Sequence, residues 1–590
     1  MIVAAGADRQ ARFFLWVAAT FGAVGFSFLN PQIIRHTIDS VIGSEPLAVP
    51  AFVLGLVERA GGQDALRGQV WVPALLIVAA ALLSALCNAV RRYVSIEIGE
   101  TVAWRLKNTL YAHVQRLPYP WHVKSQTGDI IQRCTSDVDT GRRFIQEQFT
   151  ELMRAICVFS IAVAMMFYMD VVMSLVALTL IPFIVLFSIL YFRRVSKEFA
   201  KAEIAESAMH TVAQENYTGV QVVRAFGREA HEMGKFSKTT TDFRNTWVRI
   251  GGMLGVFWST GDFLTALQLM IIIGVGILRV VQGELSPGTF LAFYTYCNWM
   301  TWPVRQLGRI LADCSRTMIA AGRIRDILAE EPETEEAGEL KPEIKGGIRF
   351  DDVSFAYRDD EPILRNLSFE LKPGETMAIL GSTGSGKSTL IHLLLRLYDL
   401  KEGNGSIAID GIDLRHISRQ WIRRNIGLCL QEPFLFSRTI KENIAMGKGA
   451  LELPAVKEFA AVAMVDDTIE EFSAGYDTVV GERGVTLSGG QRQRVAIARM
   501  LSGKSPVMIF DDSLSAVDNE TDAAIREALA EHCRGATVII ISHRISTLMQ
   551  ADKILVLKDG SLEDFGSHDE LLTREGTYKR IFELQRGSIL

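Results

Sequence analysis

Gly381-Ser382-Thr383-Gly384-Ser385-Gly386-Lys387-Ser388-Thr389 is a full match to the pattern GxxxxGK[ST], and its flanks give the pattern its meaning. Upstream, Glu375-Thr-Met-Ala-Ile-Leu380 reads as a short buried strand, and downstream Leu390–Tyr398 reads as a helix. A glycine-rich turn in that position curls its backbone N–H groups toward phosphate oxygens, and the helix N-terminus adds favourable partial charge. Lys387 is placed to neutralise β and γ oxygens, and Ser388 to ligate Mg²⁺. The nine residues from Gly381 to Thr389 are therefore the expected seat of a nucleotide's phosphates.

Further along, Pro506-Val-Met-Ile-Phe510-Asp511-Asp512 forms an apolar strand that ends in carboxylates, as a nucleotide-bound Mg²⁺ and its attacking water require. Between the two motifs lies Leu487-Ser488-Gly489-Gly490-Gln491, just before the helical Arg492–Leu501, so its hydroxyl and N–H groups can face an anion. With this pentapeptide the sequence resembles the ATP-binding cassette (ABC) family. The remaining cassette elements follow in family order: Tyr357, Gln431 in Leu430-Gln431-Glu432, the loop Ser515-Ala-Val-Asp518, and His543 in Ile541-Ser-His543-Arg. The resemblance implies ATP and Mg²⁺ as cofactors. Tyr357 would stack on adenine, Ser388, Gln431 and Asp511 would surround the metal, and Asp512, Gln431 and His543 would act in hydrolysis. Leu487–Gln491 would serve the nucleotide of a partner cassette.

The resemblance reaches upstream, where Gln126-Thr-Gly-Asp-Ile-Ile-Gln-Arg133 with Asp137 and Asp139, and Glu215-Asn-Tyr-Thr-Gly-Val-Gln-Val-Val-Arg-Ala-Phe226, look like intracellular segments of ABC exporters. What it implies is a half-transporter, six membrane helices plus one cassette, working only as a dimer and coupled through Thr127–Asp139 and Gln214–Phe226. The expected architecture is a membrane α-helical bundle over 1–325, a linker over 326–346 that includes the acidic Glu330–Glu336, and an α/β P-loop nucleotide-binding domain over 347–590.

Composition agrees with a membrane half. Of 590 residues 49% are hydrophobic, and the mean hydropathy is +0.19, too apolar for an ordinary soluble chain. Six stretches reach the roughly 17 to 25 apolar residues that span a bilayer: Phe13–Ile34, Val70–Val90, Met153–Met169, Val171–Tyr191, Ile250–Val281 and Thr289–Val304. Only Asp170 separates the third from the fourth, which predicts a tight hairpin. Long basic loops, carrying Arg91, Arg92, Arg105 and Lys107 after the second span and Arg193, Arg194 and Lys197 after the fourth, are cytoplasmic by the positive-inside rule. Both termini and the nucleotide-binding domain then lie in the cytoplasm, and the expected location is the plasma membrane, the inner membrane of a bacterium. Asn30-Pro31-Gln32 follows the first span where a signal peptide would carry small residues, so that span is expected to stay uncleaved. A net charge of −5 with 22% charged residues speaks against a nucleic-acid partner. The seven cysteines show no paired spacing, which argues against a zinc-type site or a disulfide framework. Within a span, Asp262 is placed on an inner surface, facing water or paired across helices.

One departure from the family stands out. The acidic strand of a cassette ordinarily ends in Asp-Glu, the glutamate polarising the attacking water, whereas this one ends in Asp511-Asp512. The missing methylene removes roughly 1.5 Å of reach, and a general base must come within about 2.6 to 3.2 Å of its proton or act through water. Two arrangements follow: a heterodimer in which this chain supplies a weak site and a partner the competent one, or a homodimer in which Asp512 works through a bridging water. Export of a hydrophobic or amphipathic drug, lipid or peptide is the expected function. An importer on the same membrane fold and an ATP-gated channel or regulatory subunit are the alternatives.

Overall fold

The computed structural model describes residues 7–585 except 44, 48–53, 56, 57, 60, 61, 334–337, 339, 359, 360, 450, 482, 483, 485 and 514–518. The expected loop Ser515–Asp518, part of the acidic linker and part of the stretch between the first two expected spans lie outside the described residues. The chain divides into two compact units: residues up to Arg116 with Ser125–Glu331, and Leu117–Lys124 with Pro332 onward.

The regular elements of the first unit, among the described residues, are helices. Its main helices are Ala7–His36, Trp71–Val114, Phe149–Met169, Ile181–Thr218, Glu229–Val281 and Pro287–Ala329. Trp71–Val114 has 44 residues, about 66 Å at 1.5 Å per residue, against a hydrocarbon core of about 30 Å. The long basic loops expected after the second and fourth spans are thus corrected to helix: Arg91, Arg105 and Lys107 continue the same helix that carries the apolar span, as Arg193 and Lys197 continue Ile181–Thr218. The physical reason is the absence of a breaker. No proline occurs between Pro73 and Pro118, nor between Pro182 and Pro287, and arginine and lysine are good helix formers.

Caps and ion pairs close the helix ends. Asp170 accepts the Met173 N–H at 2.8 Å, starting the next helix directly after Met169, and also pairs with Arg279 at 2.7 Å. Asp39 accepts the Ser286 hydroxyl at 2.6 Å and the Gly288 N–H at 2.7 Å, capping Pro287–Ala329 from 247 residues away. Leu75, Leu82 and Leu86 point outward from their helix, as lipid-facing side chains do.

Among the described residues five helices are long and apolar enough to cross a membrane. The sixth expected span, Thr289–Val304, lies in Pro287–Ala329, whose Phe293, Tyr296, Cys297 and Met300 are wholly buried. A helix packed against other helices needs less overall hydropathy than one facing lipid, which is why polar Thr295, Asn298 and Thr301 fit in it.

Asp137 is buried and accepts two bonds from Arg323, 2.7 and 2.6 Å, between segments 186 residues apart. Removing the guanidinium leaves a buried carboxylate uncompensated, a loss of roughly 3 kcal/mol. Arg323→Ala is therefore expected to lower the midpoint of thermal unfolding in detergent, and Arg323→Ala combined with Asp137→Asn to recover part of it; an unchanged midpoint in the single variant contradicts the pairing.

The second unit holds two sheets. Strands β1 (Ile348–Ala356), β2 (Pro362–Leu371), β4 (Ser406–Ile409) and β5 (Ile412–Asp413) form an antiparallel sheet in the order β2-β1-β4-β5. The other sheet takes β3 (Thr376–Gly381), β6 (Ile426–Cys429), β7 (Val507–Asp511), β8 (Thr537–Ile541), β9 (Lys553–Lys558) and β10 (Ser561–Gly566) in the order β10-β9-β3-β8-β7-β6. Strand β3 lies parallel between β8 and β9 and is buried from Met377 onward, which is what its unbroken apolar run demands. A second core of helices, around Ile444, Phe459, Ile497 and Leu501, packs on β7 through Met508 and Phe510. Leu117–Lys124 joins this unit through Tyr119, whose ring meets His392 at 5.7 Å and Tyr398 edge-on at 5.8 Å. The segments expected to couple the two halves, Thr127–Asp139 and Gln214–Phe226, belong to the first unit.

Candidate functional site

The register of the larger sheet assembles the site. Ile379 of β3 lies opposite Ile541 of β8, Ile541 opposite Asp511 of β7, and Phe510 opposite Cys429 of β6. Four parallel strands therefore end level with one another, and the glycine-rich turn, Asp512, His543 and Gln431 all leave from the same carboxyl edge. Ligands in open α/β sheets bind at that edge.

The turn has the conformation its glycines predict. Gly384 and Gly386 take φ of +84° and +99°, the left-handed region that side chains avoid. A Cβ on Gly386 would lie 2.5 Å from Leu364 Cδ2. Helix Lys387–Leu394 then begins, its first N–H groups without a carbonyl partner inside the helix. Lys387 Nζ donates to the carbonyls of Gly381 and Ser382, both at 2.8 Å, and the Ser385 hydroxyl is buried without a partner. A cradle of N–H donors, an ammonium and an unsatisfied hydroxyl fits a polyphosphate.

Burial pushes the Lys387 ammonium below its ordinary range, while Asp511 and Asp512 draw it back. Asp511 is pushed up, first by burial and then by the like charge of Asp512, with Lys387 opposing. Two carboxylates crowded behind one lysine fit a divalent cation, whose charge would relieve both the crowding and the burial. Ser388 starts the helix beside them, and Gln431 Nε2 donates to Asp512 Oδ2 at 3.3 Å. Asp512 itself has φ of +44°, where aspartate is enriched among side-chain-bearing residues. Its N–H donates to Ile541 O at 3.0 Å, which fixes where the shortened carboxylate starts.

Tyr357 stands at the rim, 45% exposed, held by Thr389 Oγ1 at 3.1 Å and His392 Nδ1 at 3.2 Å. Tyr398 packs against it edge-on at 4.9 Å. His543 is exposed, and its ring makes no hydrogen bond to Asp512 among the described residues; its backbone carbonyl accepts from Gln585.

Leu487–Gln491 stands apart from this group, with no hydrogen bond or ion pair to the glycine-rich turn among the described residues. Ser488 caps helix Gly489–Ser502: its hydroxyl accepts the Gln491 N–H at 3.2 Å, and Gln491 Oε1 accepts the Ser488 N–H at 2.8 Å. Leu487 is buried and anchors the turn. The Ser488 O–H hydrogen and the N–H groups of Gly489 and Gly490 remain as donors, a second anion cradle that no carboxylate bonds among the described residues.

Two residues of the site were not foreseen. Gln493 Nε2 donates to Gln431 O at 3.2 Å, tying the Gln431 loop to the helix of the pentapeptide. Arg499, half-buried, braces the same loop through Phe434 O and Asn443 O, both at 2.8 Å. Both lie on the helix just after Leu487–Gln491, but their targets are more than 55 residues away.

Residues 13–304 match the family model described as the ABC transporter transmembrane region, and residues 364–515 that described as ABC transporter. The uncharacterized ABC transporter ATP-binding protein YknU of Bacillus subtilis (strain 168) is 33% identical over 576 residues, covering 97% of this chain and 95% of that protein. The ATP-dependent lipid A-core flippase of Syntrophus aciditrophicus (strain SB) is 33% identical over 519 residues, covering 87% and 85%. Among solved structures, a bacterial Atm1-family ABC exporter with ATP bound is similar with a TM-score of 0.81 and 26% identity, over 98% of this chain and all of that one.

Proposed function

Because this chain belongs to the ABC transporter family, joining a transmembrane region to a cassette that hydrolyses ATP, we propose that it is one half of a dimeric ATP-driven exporter. The proposal extends to six membrane spans, a cytoplasmic cassette in a plasma membrane, and a hydrophobic or amphipathic cargo. What supports export is the exporter fold at a TM-score of 0.81 and a flippase relative aligned over most of its length.

In this reading Gly381–Thr389 cradles the ATP phosphates, Lys387 neutralises them, and Tyr357 receives the adenine. Ser388, Gln431 and Asp511 would hold Mg²⁺, which would supply charge neutralisation at the transferring phosphoryl group. Leu487–Gln491 completes the nucleotide site of a partner. Donors without a base at one end of the cassette, and a base without those donors at the other, make sense when two cassettes face each other.

The observation that carries the finer reading is Asp512. Its carboxylate is one methylene short, on a backbone fixed by Ile541 O, with one oxygen engaged by Gln431. A base held back in this way polarises water poorly, so this chain's own site hydrolyses slowly and a different half-transporter supplies the competent base. The homodimer with a water-bridged Asp512 is the rival, and His543, exposed two residues beyond β8, is what would assist it.

Export itself is tested by flux into inverted membrane vesicles. ATP-dependent uphill accumulation of a fluorescent amphiphile is the expected result; ion current running only downhill would make the assembly a gated channel, and ATP-dependent depletion would make it an importer.

A further inference from the structure

We propose that Gln585 is a positioning residue for His543, holding its backbone so that the ring reaches the γ-phosphate of a nucleotide on Gly381–Thr389. The inference rests on the reading that His543 acts in hydrolysis, and adds what aims it.

His543 lies in the turn between β8 and a short helix, Ile545–Leu548. It is exposed, and no hydrogen bond among the described residues holds its ring. Its aim therefore follows from its backbone. On the β8 side that backbone is tied to the sheet, where the Ser542 N–H donates to Ile379 O at 3.4 Å. On the other side the tie comes from 42 residues away: Gln585 Nε2 donates to His543 O at 3.0 Å, and Gln585 Oε1 accepts the Ile545 N–H at 3.0 Å. One planar amide thus grips the chain on both flanks of Arg544, and a pair of bonds from one plane fixes orientation as well as distance.

Capping alone does not call for this arrangement. Arg544 is the N-cap of helix Ile545–Leu548 and makes no side-chain cap bond, so Gln585 Oε1 answers the first orphan N–H of that helix. The Nε2 bond answers no helical need. It goes to the carbonyl of the residue before the cap, which is His543.

Periodicity delivers Gln585 to this place. In helix Thr577–Gln585, residues Tyr578, Ile581, Phe582 and Gln585 recur at i, i+3, i+4 and i+7, one face of a helix. Tyr578 belongs to a core with Ile545, Leu548 and the β3 residues Ala378 and Leu380, and Ile581 and Phe582 pack against it. The strand that leads into the glycine-rich turn and the helix that carries Gln585 are therefore fixed to one close-packed cluster, which sets His543 relative to the phosphates.

The test measures equilibrium binding of AMP-PNP and of ADP, each with Mg²⁺, to the full chain in nanodiscs, because the γ-phosphate is what the two nucleotides do not share. A damaged fold or adenine seat weakens both, whereas a lost aim weakens AMP-PNP alone. His543→Ala sets the scale, an expected loss of about 10-fold for AMP-PNP as for a hydrogen bond to a charged group. Gln585→Leu keeps the apolar face and is expected to weaken AMP-PNP about 5-fold while ADP stays within about 2-fold. Gln585→Glu, which keeps the acceptor and loses the donor, should fall between wild type and Gln585→Leu. Added to His543→Ala, Gln585→Leu should weaken AMP-PNP no further, since residues that act through one another are not additive. An AMP-PNP loss in His543→Ala with none in the Gln585 variants, or equal losses of both nucleotides in those variants, would overturn the positioning role and leave His543 its part. Unchanged binding of both nucleotides in His543→Ala would overturn the reading of His543 itself, and the positioning role with it.

Discussion

With Gly489 replaced by aspartate, ATP turnover of the assembled transporter is expected to fall by about 100-fold or more, the scale seen when preorganised donors to a developing anion are lost. Gly489 is the first residue of helix Gly489–Ser502, and its N–H is free of intrahelical bonding. A carboxylate there favours the helix, because acids are stabilising at helix N-termini. The fold should therefore survive while the cradle turns from attracting phosphate to repelling it. Because no bond joins Leu487–Gln491 to Gly381–Thr389 within the chain, ATP binding at this chain's own P-loop should stay within about 2-fold of wild type by the same separation. Parallel turnover and equilibrium nucleotide binding distinguish the two effects; wild-type turnover would refute the assignment of the pentapeptide to a partner's nucleotide.

Replacing Asp512 with glutamate is expected to raise the turnover of the chain purified alone by about 10-fold or more, since a correctly placed general base contributes about 100-fold or more. The gain falls short of the full factor because φ of +44° at this position costs a longer side chain roughly 1 kcal/mol. The complementary change, Asp512→Asn, should barely alter turnover of the complete transporter if a partner's base does the work. A large loss in Asp512→Asn would mean that Asp512 is itself the working base. The two substitutions at one position thus move in different assays, and neither changes Asp511.

Much of this site was legible along the chain because local spacing dictates it. Gly384 and Gly386 occupy the positive φ values that a phosphate-cradling turn needs, and the apolar runs of β3 and β7 end where the register brings Gly381 and Asp511 to one edge. Ser488 and Gln491, three apart, form the reciprocal cap that spacing implies. What stayed hidden depends on pairs remote in sequence. Asp137 with Arg323, Asp39 with Gly288 and Arg305 with Asp262 at 2.7 Å are set by helix packing, which no local pattern encodes. Asp262 was marked by its charge, but its partner Arg305, also stacked over Trp258 at 5.1 Å, was not. The basic stretches after the spans look like loops because hydropathy falls there, yet helix formation answers to propensity and the absence of proline rather than to hydropathy.

The central claim, that this chain supplies the weak half of an asymmetric pair, is tested most directly by its ATPase activity when purified alone in lipid, with native mass spectrometry to identify any co-purifying chain. The account predicts negligible turnover of the lone chain and recovery only with a second, different cassette subunit. Robust turnover by a complex containing two copies of this chain and nothing else would contradict it, and would make Asp512 a competent base.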